Sequence, residues 1–111
     1  MPLISVVIPT YNQARTLPAT IESVLAQGLR QNQGRHGVEI IVVDDGSTDK
    51  TQAALVPYRK HIHVHYQKRR GLTEAREVGA RMACSTNIVI LNADAVMAPN
   101  TLELMGQTAT P

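Results

Sequence analysis

Short apolar runs alternate with amphipathic stretches along this chain. Residues 3–8, LISVVI, are apolar and mostly β-branched, which predicts a strand buried on both faces. PTYN breaks that run. Residues 16–27, TLPATIESVLAQ, then carry Leu17, Ile21, Val24 and Leu25 on one helical face. Thr16 is the expected N-cap, and Pro18 is tolerated in a first turn. The polar, glycine-bounded stretch 28–37 predicts a loop. VEIIVV, 38–43, predicts a second buried strand running into DDGSTD, where Ser47 or Thr48 would cap a helix through about Leu55 that Pro57 stops. HIHVHY, 61–66, alternates strictly and predicts a strand with two unlike faces. Residues 72–83 predict a helix with Leu72, Ala75, Val78 and Met82 on one side, and NIVIL, 87–91, a fourth strand. Beyond the turn Asn92–Ala95, Pro99 opens a last predicted helix containing Leu102, Leu104 and Met105.

Strand and helix thus alternate four times. Such an order calls for a parallel sheet covered by helices on both faces, a three-layer α/β/α sandwich. Ligands of these sheets bind at the carboxyl ends of the strands, near the point where strand order reverses. Three turns lie at such ends: Pro9–Asn12, Asp44–Ser47 and Asn92–Ala95. They line one crevice if strands one, two and four are neighbours.

The 111 residues predict a single domain spanning 1–111. The absence of Phe and Trp, with only three Tyr, requires an aliphatic core and leaves few platforms for stacking bases of a nucleic acid. A formal net charge of +2 adds no nucleic-acid signal. The one cysteine, Cys84, excludes an internal disulfide and a cysteine-based zinc cage, and reads as a small buried hydrophobe. No run approaches the roughly 18 apolar residues of a membrane-spanning helix. The start of the chain reads as a strand, not a signal peptide, so the expected setting is cytoplasmic.

Asp44 and Asp45 are adjacent, so in extended chain their side chains diverge. One can face a ligand while the other orients the loop; equally, DDGSTD can be only a turn and a helix cap. Lys68, Arg69 and Arg70 add positive potential or simply form a solvated loop. His61, His63 and His65 invite a zinc site, but a strand spaces them about 6–7 Å apart, too far to share one ion.

SVVIPTYN, EIIVVDDGSTD, GLTEAREVG and VILNADA, in this order and spacing, resemble the N-terminal half of family 2 glycosyltransferases. The resemblance covers about residues 3–105. It implies a nucleotide-diphospho-sugar transferase fold of the GT-A, Rossmann-like type, truncated to its nucleotide-sugar-binding portion. It implies transfer of a sugar from a nucleoside-diphosphate sugar, UDP-linked, to a hydroxyl acceptor with inversion. Pro9, Thr10, Tyr11 and Asn12, with Asp44 and Asp45, would hold base and ribose, and Arg76 would reach toward the nucleotide. Gly79 would let its helix pack closely on the sheet, and the histidine-bearing strand would lie at a sheet edge. Glu77 stands where the family often has Asn.

The family's turn after the fourth strand carries two or three acids that hold Mg²⁺ or Mn²⁺. Here Asn92 and Ala95 replace two of them and Asp94 alone remains, so the resemblance implies a diphosphate site with weakened metal affinity. The catalytic base belongs to the family's C-terminal half, so no catalytic residue is identified here, and activity would need a partner chain supplying the acceptor half. An open sheet edge could also pair two copies. The alternative is a non-catalytic nucleotide-binding or interaction module. A phosphoacceptor receiver-like domain is a third reading. In that reading the acid pair should follow the first strand and a lysine a later one, but the pair follows the second strand and no lysine occurs after Lys68.

Overall fold

A computed structural model of the chain describes residues 4–27, 37–99 and 101. The predicted last helix at Leu102, Leu104 and Met105, and nearly all of the predicted loop 28–37, lie outside the described residues. The elements are β1 (Ile4–Thr10), α1 (Leu17–Leu25), β2 (Val38–Asp45), α2 (Thr51–Leu55), β3 (His63–Gln67), α3 (Leu72–Met82) and β4 (Ile88–Ile90). A 3₁₀ turn, Val56–Tyr58, extends α2.

The four strands form one sheet in the order β3-β2-β1-β4, with every pair parallel. Strands one, two and four are therefore neighbours, and the order reverses between β1 and β4. Alternate side chains of β1 and β2 feed two cores. Ile4, Val6, Ile8, Ile40 and Val42 pack with Leu17, Ile21 and Val24 of α1 and with Leu55. Val7, Ile41 and Val43 pack on the other face with Ala75. Helices thus cover both faces, and β1 is buried at all seven positions, as its unbroken apolar run requires. No helix among the described residues is long and apolar enough to cross a membrane.

Several expectations shift. β1 and β2 run two residues beyond their apolar stretches, so Pro9, Thr10, Asp44 and Asp45 are strand ends rather than turn residues. Parallel pairing carries them there, with Thr10 in register with Asp44 and Asp45 with Gln67. Helix α2 begins at Thr51, because Ser47 and Thr48 are engaged elsewhere. Thr16 makes no side-chain cap; its hydroxyl donates to the Ala93 carbonyl at 2.9 Å, tying α1 to the last turn. β3 starts at His63, so His61 falls outside the strand that carries His63 and His65. β3 does lie at a sheet edge. Cys84 is exposed, not a core residue.

Helix α3 buries Ala75 and Gly79 rather than its larger apolar residues, and Met82 is 37% exposed. The helix lies so near the sheet that a Cβ on Gly79 would sit 2.3 Å from Val7 Cγ1 and 3.2 Å from Val43 Cγ2. Gly79→Ala is accordingly expected to destabilise the fold. Forcing a methyl group into this contact costs about 1–3 kcal/mol, against the roughly 1 kcal/mol that replacing a mid-helix glycine returns. Urea unfolding should show a lower midpoint with an unchanged slope; a raised midpoint would mean that α3 can lift without loss.

Candidate functional site

The carboxyl ends of β1, β2 and β4 meet at the switch point; side chains join the first turn to the second and tie the start of α1 to the third. Asn12 adopts a left-handed backbone, φ 51°, which Asn tolerates better than most residues. That conformation aims it at the second turn. Its N–H donates to Ser47 Oγ at 2.9 Å, and its Oδ1 accepts from the N–H groups of Thr48 (2.7 Å) and Asp49 (3.2 Å). The Gln13 N–H donates to Thr51 Oγ1 at 3.2 Å, and the Ala14 N–H to Asp49 Oδ2 at 3.3 Å. The Thr51 hydroxyl and its N–H also donate to Asp49, holding that carboxyl below its ordinary range. Asn12, named from the sequence as a nucleotide contact, thus braces one turn against another with its side chain.

The acid pair divides as the alternation of a strand requires. Asp45 points toward the α3 side and is closed off from solvent. It accepts from Gln67 Nε2 (3.0 Å), Arg69 Nη1 (2.7 Å), the Arg70 N–H (2.8 Å) and the Gly71 N–H (2.9 Å). Burial alone would push this carboxyl up. The hydrogen bonds from Gln67, Arg70 and Gly71, with the charge of Arg69, outweigh it and hold Asp45 below the usual carboxylate range. Asp45 therefore anchors the loop between β3 and α3. Gly46 makes the same approach possible: its φ is +79°, and a Cβ there would stand 2.7 Å from the Arg69 backbone nitrogen.

Asp44 points to the opposite side and is 1% exposed. Oδ1 accepts from the Ser47 N–H at 3.0 Å. Oδ2 is buried with no hydrogen-bond partner among the described residues. A buried carboxylate oxygen in that condition lacks a donor, and native structures rarely leave one so.

Arg69 links the pair to the first turn. Its guanidinium carbon lies 3.6 Å from the centroid of the half-buried Tyr11 ring. In sequence Arg69 was one member of a basic run; nothing local marks it as the member that reaches Tyr11.

At the third turn, the Ala93 carbonyl accepts from Thr16 Oγ1 (2.9 Å) and Thr20 Oγ1 (3.0 Å), which leaves Asn92 and Asp94 exposed on either side. Asp94 faces a cavity of about 320 Å³ lined by Asn12, Gln13, Ala14, Arg15, Thr16 and Asp49 as well. Arg15, Gln13 and Asp49 were not singled out in sequence, where each is an ordinary polar residue. Pro9 and Thr10 are buried in β1, with Thr10 Oγ1 3.4 Å from Gln13 Oε1. Arg76 is exposed on α3, as is Glu77, and neither lines the cavity.

The donor set does not fit a divalent cation held by protein alone. Asp94 is the one carboxylate of its turn, and among the described residues no group of three or more His, Cys, Asp or Glu could hold a metal ion. Among the described residues His61, His63 and His65 belong to no such group, and His63 stands 3.9 Å from Glu39, at the amino end of the sheet.

Comparison with known proteins bears on the family and the fold. The family Glycosyl transferase family 2 matches residues 5–109. Validoxylamine A glucosyltransferase of Streptomyces hygroscopicus subsp. jinggangensis is 34% identical over 103 residues, covering 89% of this chain and 24% of that protein. Chondroitin synthase of Escherichia coli is 33% identical over 107 residues, covering 94% of this chain and 15% of that protein. Among solved structures, S. aureus TarS in complex with UDP-GlcNAc superimposes with a TM-score of 0.83 at 25% identity, over 94% of this chain and 30% of that one. A mannosyltransferase from Pyrobaculum calidifontis in complex with GDP-Man and Mn²⁺ gives 0.81 at 26% identity, over 97% and 32%. The chain spans at most about a third of the length of these relatives. A four-stranded parallel sheet of GT-A type, carrying these turns at its switch point, makes this chain a member of glycosyl transferase family 2.

Proposed function

We propose that this chain binds the nucleoside diphosphate of a UDP-linked sugar donor, for transfer of the sugar to a hydroxyl acceptor. The observation that carries the reading is the unpartnered Asp44 Oδ2 at the carboxyl end of β2. Carboxylates accept from the imide N–H of a uracil-type base or from ribose hydroxyls. Tyr11 offers a ring to the base, and the backbone of Pro9–Asn12 its edge contacts. Asp94 and Asn92 face the ribose or diphosphate side, and Arg76 brings a guanidinium that can swing toward the phosphates.

In the inverting reaction that the family resemblance implies, a base takes the proton of the acceptor hydroxyl as its oxygen attacks the anomeric carbon. No residue here is assigned that role, and Asp94 cannot serve both donor and base. We place the base and acceptor pocket outside these 111 residues, on further polypeptide or a partner chain. With one charged oxygen from Asp94, Mg²⁺ or Mn²⁺ would be held only together with the diphosphate's own oxygens.

Calorimetric titration of UDP with and without Mn²⁺ tests the reading. We expect UDP to bind without metal and Mn²⁺ to strengthen that binding, with Asp94→Asn abolishing the increment while leaving metal-free binding intact. GDP should bind more weakly. A folded sample that binds no UDP in either condition would remove the donor-site assignment. The thinned acidic turn favours one other reading, a nucleotide-binding module without catalysis; detectable hydrolysis of a UDP-sugar would count against it.

A further inference from the structure

The pairing of Arg69 with Tyr11 has no place in the binding roles above. Three constraints fix it. Arg69 Nη1 donates to Asp45 Oδ2 at 2.7 Å, and that carboxylate is closed to solvent. The following N–H groups, of Arg70 and Gly71, donate to the same carboxylate at 2.8 and 2.9 Å. On its other side the Arg69 backbone nitrogen packs against Gly46 so closely that no side chain would fit between them. The guanidinium is therefore held at both its backbone and its tip, and it lies 3.6 Å from the Tyr11 ring centroid. That is stacking distance, so one face of the ring is already occupied. The rest of the turn is braced through Asn12.

We propose that Arg69, clamped to Asp45, is the positioning residue of the base site: it covers one face of Tyr11 and fixes the ring so that the donor's planar base stacks on the other. A planar, weakly hydrated guanidinium suits this work better than an ammonium would, because it stacks while still donating in its own plane. The proposal rests on the nucleotide reading above and deepens it. It also separates two roles. A positioning arginine acts on the base, whereas an arginine with free exposed donors could instead meet the diphosphate.

Calorimetry with UDP and with uridine distinguishes these roles. Arg69→Ala is expected to weaken both ligands by the same factor, about 5–20-fold, the range a partly desolvated cation–π contact supports. Tyr11→Ala should weaken both as well. Adding Arg69→Ala to Tyr11→Ala should then change neither affinity by more than about twofold, since coupled residues do not add. Arg69→Lys, which keeps the charge and loses the plane, should restore part of the affinity. Should Arg69→Ala melt below the assay temperature, Arg69→Lys and Arg69→Gln carry the same comparison. A loss confined to UDP would make Arg69 a phosphate ligand and overturn the proposal. So would a full loss on top of Tyr11→Ala, or an Arg69 variant of unchanged affinity. Wild-type protein that binds neither ligand would instead take down the nucleotide reading itself, and the proposal with it.

Discussion

Asp44→Asn is expected to cut the affinity for UDP by about 10–150-fold while leaving the folded chain as stable as wild type, within about 1 kcal/mol. The affinity figure corresponds to the roughly 1.5–3 kcal/mol of a hydrogen bond to a charged group. Asn keeps the acceptor that Oδ1 presents to the Ser47 N–H. It replaces the unpartnered Oδ2 with an amide that donates, so an imide N–H arriving there meets a second donor, and a ribose hydroxyl meets a neutral donor in place of a charged acceptor. The wild-type chain carries the desolvation cost of a buried carboxylate whose second oxygen has no donor, and the variant is relieved of that charge. Affinity by calorimetry and stability by thermal melting give the two halves of the result. UDP affinity that does not change would strip Asp44 of its role. A melting point many degrees lower would make it a structural residue like its neighbour.

Asp45→Ala is expected to do the opposite in the first place, costing about 2–4 kcal/mol of stability through the loss of a buried acceptor that four part-buried donors share. Gln67, Arg69 and the N–H groups of Arg70 and Gly71 all lose their shared acceptor. UDP binding should then weaken as a consequence, because the clamp on Arg69 goes with it. The same contacts make a pH signature. Asp45 titrates below its ordinary value of 3.8 in the fold, so its stabilisation is complete above that value and is lost as pH falls through the lowered one. Asp49, held down by Thr51, loses its contribution in the same direction. Glu39 does so too: burial pushes it up, but the Cys84 N–H and the Ser5 hydroxyl bring it below its ordinary value. Urea midpoints of the wild type should therefore fall steeply below about pH 4, and those of Asp45→Asn should fall less over the same interval, from a lower start. Parallel profiles for the two proteins would show that Asp45 is not a source of the acid sensitivity.

Part of this molecule is legible without coordinates. The apolar runs at 3–8 and 38–43 determine buried parallel strands, and the 3.6-residue spacing of Leu17, Ile21 and Val24 determines the helix that covers them. Alternation along an extended chain is enough to say that Asp44 and Asp45 part company. Gly79 could be read as a close-packing position from its place in a helical motif, and the structure bears that out. The three turns at the carboxyl ends follow from the order of elements alone. Apart from that order, which runs along the whole chain, these are local or periodic signals, each complete within about a dozen residues.

What the sequence left open depends on partners brought together by the sheet. Which acid serves the loop was decided when β3 paired with β2 and set Gln67 beside Asp45. Arg69 was chosen from three consecutive basic residues by the path of a loop that Gly46 lets through. Asn12 became a brace because parallel pairing of β1 with β2 puts the two following turns in contact. Tertiary placement also exposed Cys84, left His61 outside β3, and left Ile88 and Ile90 open on the edge strand, against what their residue types suggest. Periodicity says which face of an element is apolar. Only the packed sheet says what that face, or a polar side chain at its end, will meet.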